Sequence, residues 1–280
     1  QNKLPKVLML TGDKGLGKST LIFHLMHYYF DKNNYDEINN KINNSSFHYE
    51  FLNNLFPNII YLGNQNLNNL KIEDVRKLKN DISKSSISKK KRFIILDDIE
   101  LFNTQSLNGL LRIIEEPNEN NHFILINGKS KPLLETIKSR CLEINISLDL
   151  LSRKEILSKL SDQFEQKIIL DYAELIITPG NFINYNNIFL SNKIDLEDHF
   201  LKNLKLLIDL SKKEKKIIYK DLLFFYTDYH LSKMRSKNFY NKNQFLNLRI
   251  EILKRLNDFY LYNLSQATLM YSLKNIYSNE

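Results

Sequence analysis

The chain has 280 residues, 42% of them hydrophobic and 26% charged, with a formal net charge of +8. That composition suits a water-soluble chain of two or three domains, and no apolar stretch approaches the ~20 residues that span a bilayer. A single cysteine, Cys141, excludes an internal disulfide and a cysteine-based zinc site.

The opening residues, Gln1 to Pro5, carry no signal-peptide pattern, so a cytoplasmic location is expected. The chain starts on Gln1 rather than Met and the first strand follows almost at once, so residues are expected to lie upstream. That first apolar run, Val7 to Leu10, leads into Gly12-Asp13-Lys14-Gly15-Leu16-Gly17-Lys18-Ser19, and a helical segment begins at Lys18. Strand, glycine-rich loop and helix in this order form a phosphate-binding loop. The glycines turn backbone N–H groups toward an anion, the helix N-terminus adds partial positive charge, Lys18 reaches the β/γ-phosphates and Ser19 can hold Mg²⁺. Gly12, Gly15, Gly17, Lys18, Ser19 and Thr20 are therefore candidate ATP-binding residues, with ATP and Mg²⁺ as the cofactors. The pattern alone leaves open a loop that has kept the shape and lost the ligand.

Residues Asp31 to Asn58 are rich in Asn and read as an irregular connection. His24, His27 and His48 form no metal-ligand constellation. After a second apolar run, Ile59 to Leu62, the stretch from Lys71 to Arg92 carries nine Lys or Arg against three acids, a net +6. Such a stretch suits either a polyanion or solvent, and Lys89 to Arg92 can serve simply as a solubilising guard beside a strand. The next run, Phe93 to Leu96, ends in Asp97 and Asp98. Beside a phosphate loop, the first carboxylate orients Mg²⁺ and the second can polarise the attacking water, although Asp98 is one methylene shorter than a glutamate.

Further apolar runs at Phe123 to Ile126 and Leu142 to Ile146 complete a β/α alternation. Runs apolar on both faces predict a doubly wound α/β domain over residues 1–148, built on a parallel five-stranded sheet. Short amphipathic helices are expected at Ser152 to Phe164, Leu170 to Ile177 and Phe182 to Leu190, giving a helical lid over 149–191. Longer helical periods at Leu201 to Leu210, Lys216 to Tyr229 and Leu246 to Leu264 predict a helical C-terminal domain over 192–280. Its Tyr and Phe residues read as core or subunit interface, and Lys212 to Lys216 as a solvated linker.

Two further motifs follow the acidic strand: Asn108-Gly109-Leu110-Leu111-Arg112-Ile113-Ile114-Glu115-Glu116-Pro117 and Ser139-Arg140-Cys141. In this order they resemble the clamp-loader branch of the AAA+ ATPases. The likeness covers residues 4 to about 146 closely and thereafter rests on three-domain architecture. It implies a hetero-oligomeric machine that places a sliding clamp on primed DNA, with the other clamp-loader subunits, the clamp and primer-template DNA as partners. It further implies that Arg140 acts in trans, as a guanidinium aimed at the γ-phosphate held by a neighbour. Residues 72–78 look like the family helix that meets DNA phosphates, with Arg76 and Lys77 as the leading contacts. Glu115 and Glu116 hold the helix end, and Gly109, in place of the usual alanine, costs the helix roughly 1 kcal/mol unless packing is close there.

Departures from the family pattern bear on turnover. No sensing arginine occurs around Pro179 to Asn184, the first sensor position falls on Asn127 or Gly128, and the usual zinc-module cysteines are missing. The implied role is an accessory subunit with weak or absent hydrolysis of its own. A motor subunit that hydrolyses ATP is the alternative, favoured by the intact Lys18, Ser19 and Asp97, and an unrelated phosphate-loop kinase is remote because residues 149–192 offer only Arg153.

Overall fold

The computed structural model describes residues 4–63, 72–83, 91–163, 167–171, 177–214, 216–236 and 242–278. Lys71, Lys84, Lys89 and Lys90 of the basic stretch, Lys215, and residues 172–176 of the segment from Leu170 to Ile177 lie outside them. The chain divides into two compact units, residues 1–164 with 176–182 and residues 165–175 with 183–280.

In the first unit the elements are β1 (Val7–Thr11), α1 (Lys18–Phe30), β2 (Tyr35–Asp36), β3 (Lys41–Ile42), α2 (Ser46–Leu52), β4 (Ile59–Gly63), α3 (Ile72–Ser83), β5 (Arg92–Asp97), α4 (Thr104–Glu115), β6 (Asn121–Asn127), α5 (Glu135–Lys138), β7 (Leu142–Asn145) and α6 (Leu150–Gln163). Five strands form one sheet in the order β4-β5-β6-β1-β7, every pairing parallel. Successive side chains of a strand point to opposite faces, and here both faces are covered. Val7, Met9, Ile94, Leu96, Phe123 and Leu125 pack with Val75 and Leu78 of α3 and Leu107 and Leu110 of α4. Leu8, Leu10, Ile95 and Ile124 pack on the other side with Ile22 and Met26 of α1 and Phe47 and Phe51 of α2. Double coverage explains why β1, β5 and β6 read as apolar runs, whereas the edge strand β7 is exposed along its length. Each strand top delivers its last residue to the same edge, where Thr11, Asp97 and Asn127 end β1, β5 and β6.

The Asn-rich segment is more ordered than its composition suggests. Ser45 caps α2, its hydroxyl accepting from His48 N at 3.1 Å, and the spacing of Phe47 and Phe51 puts both rings on the core side. The two-residue strands β2 and β3 pair antiparallel just before it. Arg92 is also not a solvent guard. It is buried at the start of β5, and its Nη1 donates to Asp81 O at 3.0 Å and Ile82 O at 3.3 Å, satisfying carbonyls in the last turn of α3, where a cation also meets the negative end of the helix dipole. Arg92→Ala is expected to lower stability by about 2–3 kcal/mol, the range for a buried charge-assisted hydrogen-bond donor, measurable by urea unfolding. Gly109 sits where α4 crosses α3, and a Cβ there would stand 3.2 Å from Val75 Cγ1. Close packing accounts for the glycine.

The helix α7 (Pro179–Ser191) begins in the first unit and continues into the second, followed by α8 (Phe200–Glu214), α9 (Ile217–Ser236), α10 (Lys242–Leu261) and α11 (Gln266–Ser278). Proline at the first helical position is pre-set for the turn. The second unit is closed by apolar positions at helical spacing: Leu204 and Ile208, Leu222 and Tyr226, Leu248, Ile252 and Leu256, Leu269 and Leu273 are all buried. Tyr226 is fully buried, and its hydroxyl accepts from Asn203 Nδ2 at 3.1 Å. Arg249 of α10 grips Asp228 of α9 through two bonds of 2.6 and 3.0 Å. Tyr185, Phe189, Phe200, Tyr226, Tyr229 and Phe259 are buried here, whereas Tyr262 and Tyr271 are exposed. No described helix is long and apolar enough to cross a membrane.

Candidate functional site

The loop between β1 and α1 turns through Gly15 and Gly17, both at φ 85°, a left-handed conformation that side chains resist. Lys18, the first residue of α1, is only 5% exposed. Its Nζ donates to Gly12 O at 2.6 Å and Asp13 O at 2.9 Å, so the ammonium sits against the carbonyls of its own loop. Burial lowers its pKa, opposed by the charges of Glu100, Asp97, Asp98 and Asp13. Ser19, one residue on, is exposed and donates to Asp97 Oδ2 at 2.9 Å. Thr20 is exposed beside it. Thus residues from β1, α1 and β5 meet at one end of the sheet.

Asp97 Oδ1 accepts from the amide of Asp98 at 3.0 Å. Asp98 itself adopts φ 52°, which asparagine and aspartate tolerate better than most residues. Burial, then the neighbouring Asp97 charge, raise its pKa from 3.8 to about 6. The folded chain therefore keeps this proton between pH 4 and 6, after the unfolded chain has released it, and stability falls as pH rises through that window. Asp98→Asn is expected to unfold later than the wild type at pH 7, by about 1–2 kcal/mol after discounting for partial solvent screening. The gain should vanish near pH 4, which urea melts at the two pH values would show.

The structure adds three residues that motif reading passed over. Glu100 is buried two residues after Asp98. Its Oε1 accepts from Gly128 N at 3.0 Å and Ser130 N at 3.3 Å, tying the exit of β6 to the acidic turn. Tyr61 of β4 donates its hydroxyl to Asp97 Oδ2, and burial with the Asp97 charge pushes the phenol's pKa up. Arg153 of α6 reaches the phosphate loop, its Nη2 lying 3.5 Å from Asp13 Oδ2 while Nε donates to Leu148 O at 3.0 Å. None carries a local sequence signature, because each acts through tertiary placement. Of the two sensor candidates, Asn127 turns its side-chain oxygen to Lys129 N at 3.0 Å, whereas the backbone of Gly128 faces Glu100.

Residues 177–182 close over the same loop. Thr178 Oγ1 donates to Lys14 O at 2.8 Å and Gly180 N to Gly15 O at 2.8 Å. A Cβ on Gly180 would stand 3.0 Å from Gly15 Cα, and one on Gly15 would stand 2.3 Å from Thr178 Oγ1, so the two backbones meet at glycine on both sides.

Arg140 lies apart from this cluster in its bonding. Its Nε donates to Glu115 Oε1 at 2.8 Å with Nη2 2.5 Å from the same oxygen, and Nη1 donates to Thr136 O at 2.8 Å and Ser139 Oγ at 3.3 Å. Among the described residues no loop residue bonds to it. Arg76 and Lys77 are exposed on α3, opposite its buried Val75 and Leu78. His27 is buried, with Nδ1 bonded to Phe23 O at 2.9 Å and Nε2 3.1 Å from His48 Nδ1. Burial lowers its pKa.

Among the described residues no group of three or more His, Cys, Asp or Glu could hold a metal ion by itself. A hydroxyl and a carboxylate within 2.9 Å, Ser19 and Asp97, nevertheless fit Mg²⁺, which takes few protein ligands and completes its shell with water and substrate phosphate.

A family model described as DNA polymerase III, delta subunit, matches residues 1–149. The chain is 28% identical to DNA polymerase III subunit gamma of Buchnera aphidicola (subsp. Schizaphis graminum) over 143 residues, 45% of this chain and 39% of that one. It is 29% identical to the delta' subunit of the same organism over 133 residues, 48% of this chain and 40% of that one. The match thus spans about two fifths of the length of these relatives. Among solved structures, a DNA polymerase III gamma subunit-related protein of Thermotoga maritima has a TM-score of 0.54 at 16% identity, covering 97% of this chain and 93% of that one, a likeness of fold. A five-stranded parallel sheet bearing a phosphate loop, followed by helices, together with a family match across more than half the chain, makes this a clamp-loader-type subunit of the DNA polymerase III delta family.

Proposed function

We propose that the chain is a delta prime-type subunit of the clamp loader, binding ATP with Mg²⁺ and helping to load the sliding clamp onto primed DNA together with the other subunits. The observation that carries the nucleotide reading is the convergence of Lys18, Ser19 and Asp97 at the strand tops, with Ser19 already bonded to Asp97. Gly12, Gly15, Gly17 and Thr20 would complete the phosphate cradle. Ser19 and Asp97 would hold Mg²⁺, whose charge would offset that of the phosphates.

Residues 1–148 serve as the nucleotide-binding domain, 149–191 as the lid and 192–280 as the collar through which subunits assemble. Arg140 is supplied to the neighbour's γ-phosphate, and Arg76 and Lys77 meet DNA phosphates without reading sequence. An accessory rather than a motor role is supported by Asp98, an acid one methylene shorter than a glutamate, and by Ile183 and Asn184 in the stretch where a sensing arginine is expected. The intact Lys18, Ser19 and Asp97 favour the second reading, a gamma-type subunit that hydrolyses ATP itself. The test is clamp loading onto primed DNA by the complex reconstituted with and without this chain. Loss of loading without it supports the proposal, and undiminished loading rejects it. Turnover that depends on this chain's own Asp98 would select the motor reading.

A further inference from the structure

Tyr61 stands outside the phosphate-loop motif and yet is bonded to the carboxylate at its centre. Its hydroxyl donates to Asp97 Oδ2, the oxygen that also accepts from Ser19 Oγ at 2.9 Å, while Oδ1 accepts from Asp98 N at 3.0 Å. Three donors from three segments of chain leave the carboxylate one orientation.

The reach depends on Gly63. Residues 61 and 63 of β4 share a face of the sheet, and Gly63 stands in register with Asp97. A Cβ on Gly63 would lie 2.9 Å from Tyr61 Cε1, 3.1 Å from its hydroxyl and 3.3 Å from Asp97 Cβ. The phenol therefore lies across the space that any other residue at 63 would fill. On its other side the ring borders a cavity of about 240 Å³ lined by Ser19, Ile22, Phe23, Phe51 and Ile95. Apolar packing there would be met equally by phenylalanine, and among the described residues the hydroxyl's partner is Asp97.

We propose that Tyr61, seated by Gly63, is the positioning residue of the cation site, holding Asp97 so that Ser19 gives its proton to Oδ2 and keeps its oxygen lone pairs for Mg²⁺. The inference rests on the nucleotide reading above. Partners that orient a metal ligand are commonly worth 10–100-fold in metal affinity. A residue that only filled the core would affect ATP binding equally with and without the metal.

The experiment is calorimetric titration of the whole chain with ATP across a series of free Mg²⁺ concentrations and in EDTA, with Mn²⁺ paramagnetic resonance as a direct probe of the bound cation. In Tyr61→Phe the gain in ATP affinity on adding Mg²⁺ is expected to shrink about tenfold, and the Mn²⁺ signal of the ATP complex to weaken. Gly63→Ala keeps the phenol but displaces its ring, so it should reproduce the defect. The double variant should be no worse than either, because both remove one interaction. A wild-type Mg²⁺ gain in Tyr61→Phe, or a loss equal with and without Mg²⁺, overturns this inference and leaves the nucleotide reading intact. Wild-type protein that binds no ATP under any of these conditions overturns both.

Discussion

Lys18→Ala is expected to weaken ATP binding by at least a hundredfold while leaving the fold intact. Lys18 is 5% exposed as a residue and its ammonium touches the carbonyls of Gly12 and Asp13, so it already waits inside the loop where the phosphates would bind. A charge buried in this way acts through a lower effective dielectric than a surface lysine does. Two charge-assisted bonds at about 1.5–3 kcal/mol each bring the loss to two orders of magnitude or more. Removal also leaves Asp13, Asp97, Asp98 and Glu100, the four acids whose charges act on Lys18, without that cation, so they would repel the nucleotide. Calorimetry of the two proteins checks the affinity and thermal melting checks the fold. Equal affinity in the variant would mean that the loop holds no triphosphate in the manner proposed.

Arg140→Ala is expected to reduce ATP turnover of the reconstituted complex by about 10³-fold or more, the range for an arginine that stabilises a transferring phosphoryl group in trans. This chain's own ATP affinity should not follow, since the bonding partners of Arg140 are Glu115, Thr136 and Ser139. Arg140→Lys should rescue little, because an ammonium lacks the planar fork that meets phosphate oxygens. Steady-state turnover of complexes carrying each variant is the measurement. If Arg140→Ala turns over like the wild type, Arg140 is a surface ion pair with Glu115 and no more.

Much of the sheet was legible in the sequence, because the inner strands β1, β5 and β6 are covered on both faces and so are largely apolar, whereas the edge strand β7 is exposed. The runs from Val7, Ile59, Phe93, Phe123 and Leu142 correspond to β1, β4, β5, β6 and β7 with ends moved by at most two residues. The phosphate loop was legible for a different reason: its glycines and Lys18 act through the local backbone. What could not be read was whatever depends on elements far apart in sequence. Tyr61 falls inside an apolar run and looks like packing, and only the pairing of β4 with β5 sets it beside Asp97. Glu100 looks like a surface turn acid until the exit of β6 is brought over it. Arg92 looked like part of a solvated basic run because sequence does not show that the end of α3 lies against it. The helix α2 was hidden by asparagines, whose composition outweighed the two phenylalanines that anchor it.

The contact of Thr178 and Gly180 with the phosphate loop bears on how this chain can be cut. The family match ends at residue 149, which makes that position an inviting place to trim the protein to its sheet. The compact unit that contains the loop, however, is discontinuous and includes residues 176–182. A fragment stopping at 149 would leave the carbonyls of Lys14 and Gly15 without the donors from Thr178 and Gly180. Fragments meant to keep the loop intact should therefore run past residue 182, and the boundary of the compact unit is set by the roof of the loop rather than by the last strand of the sheet.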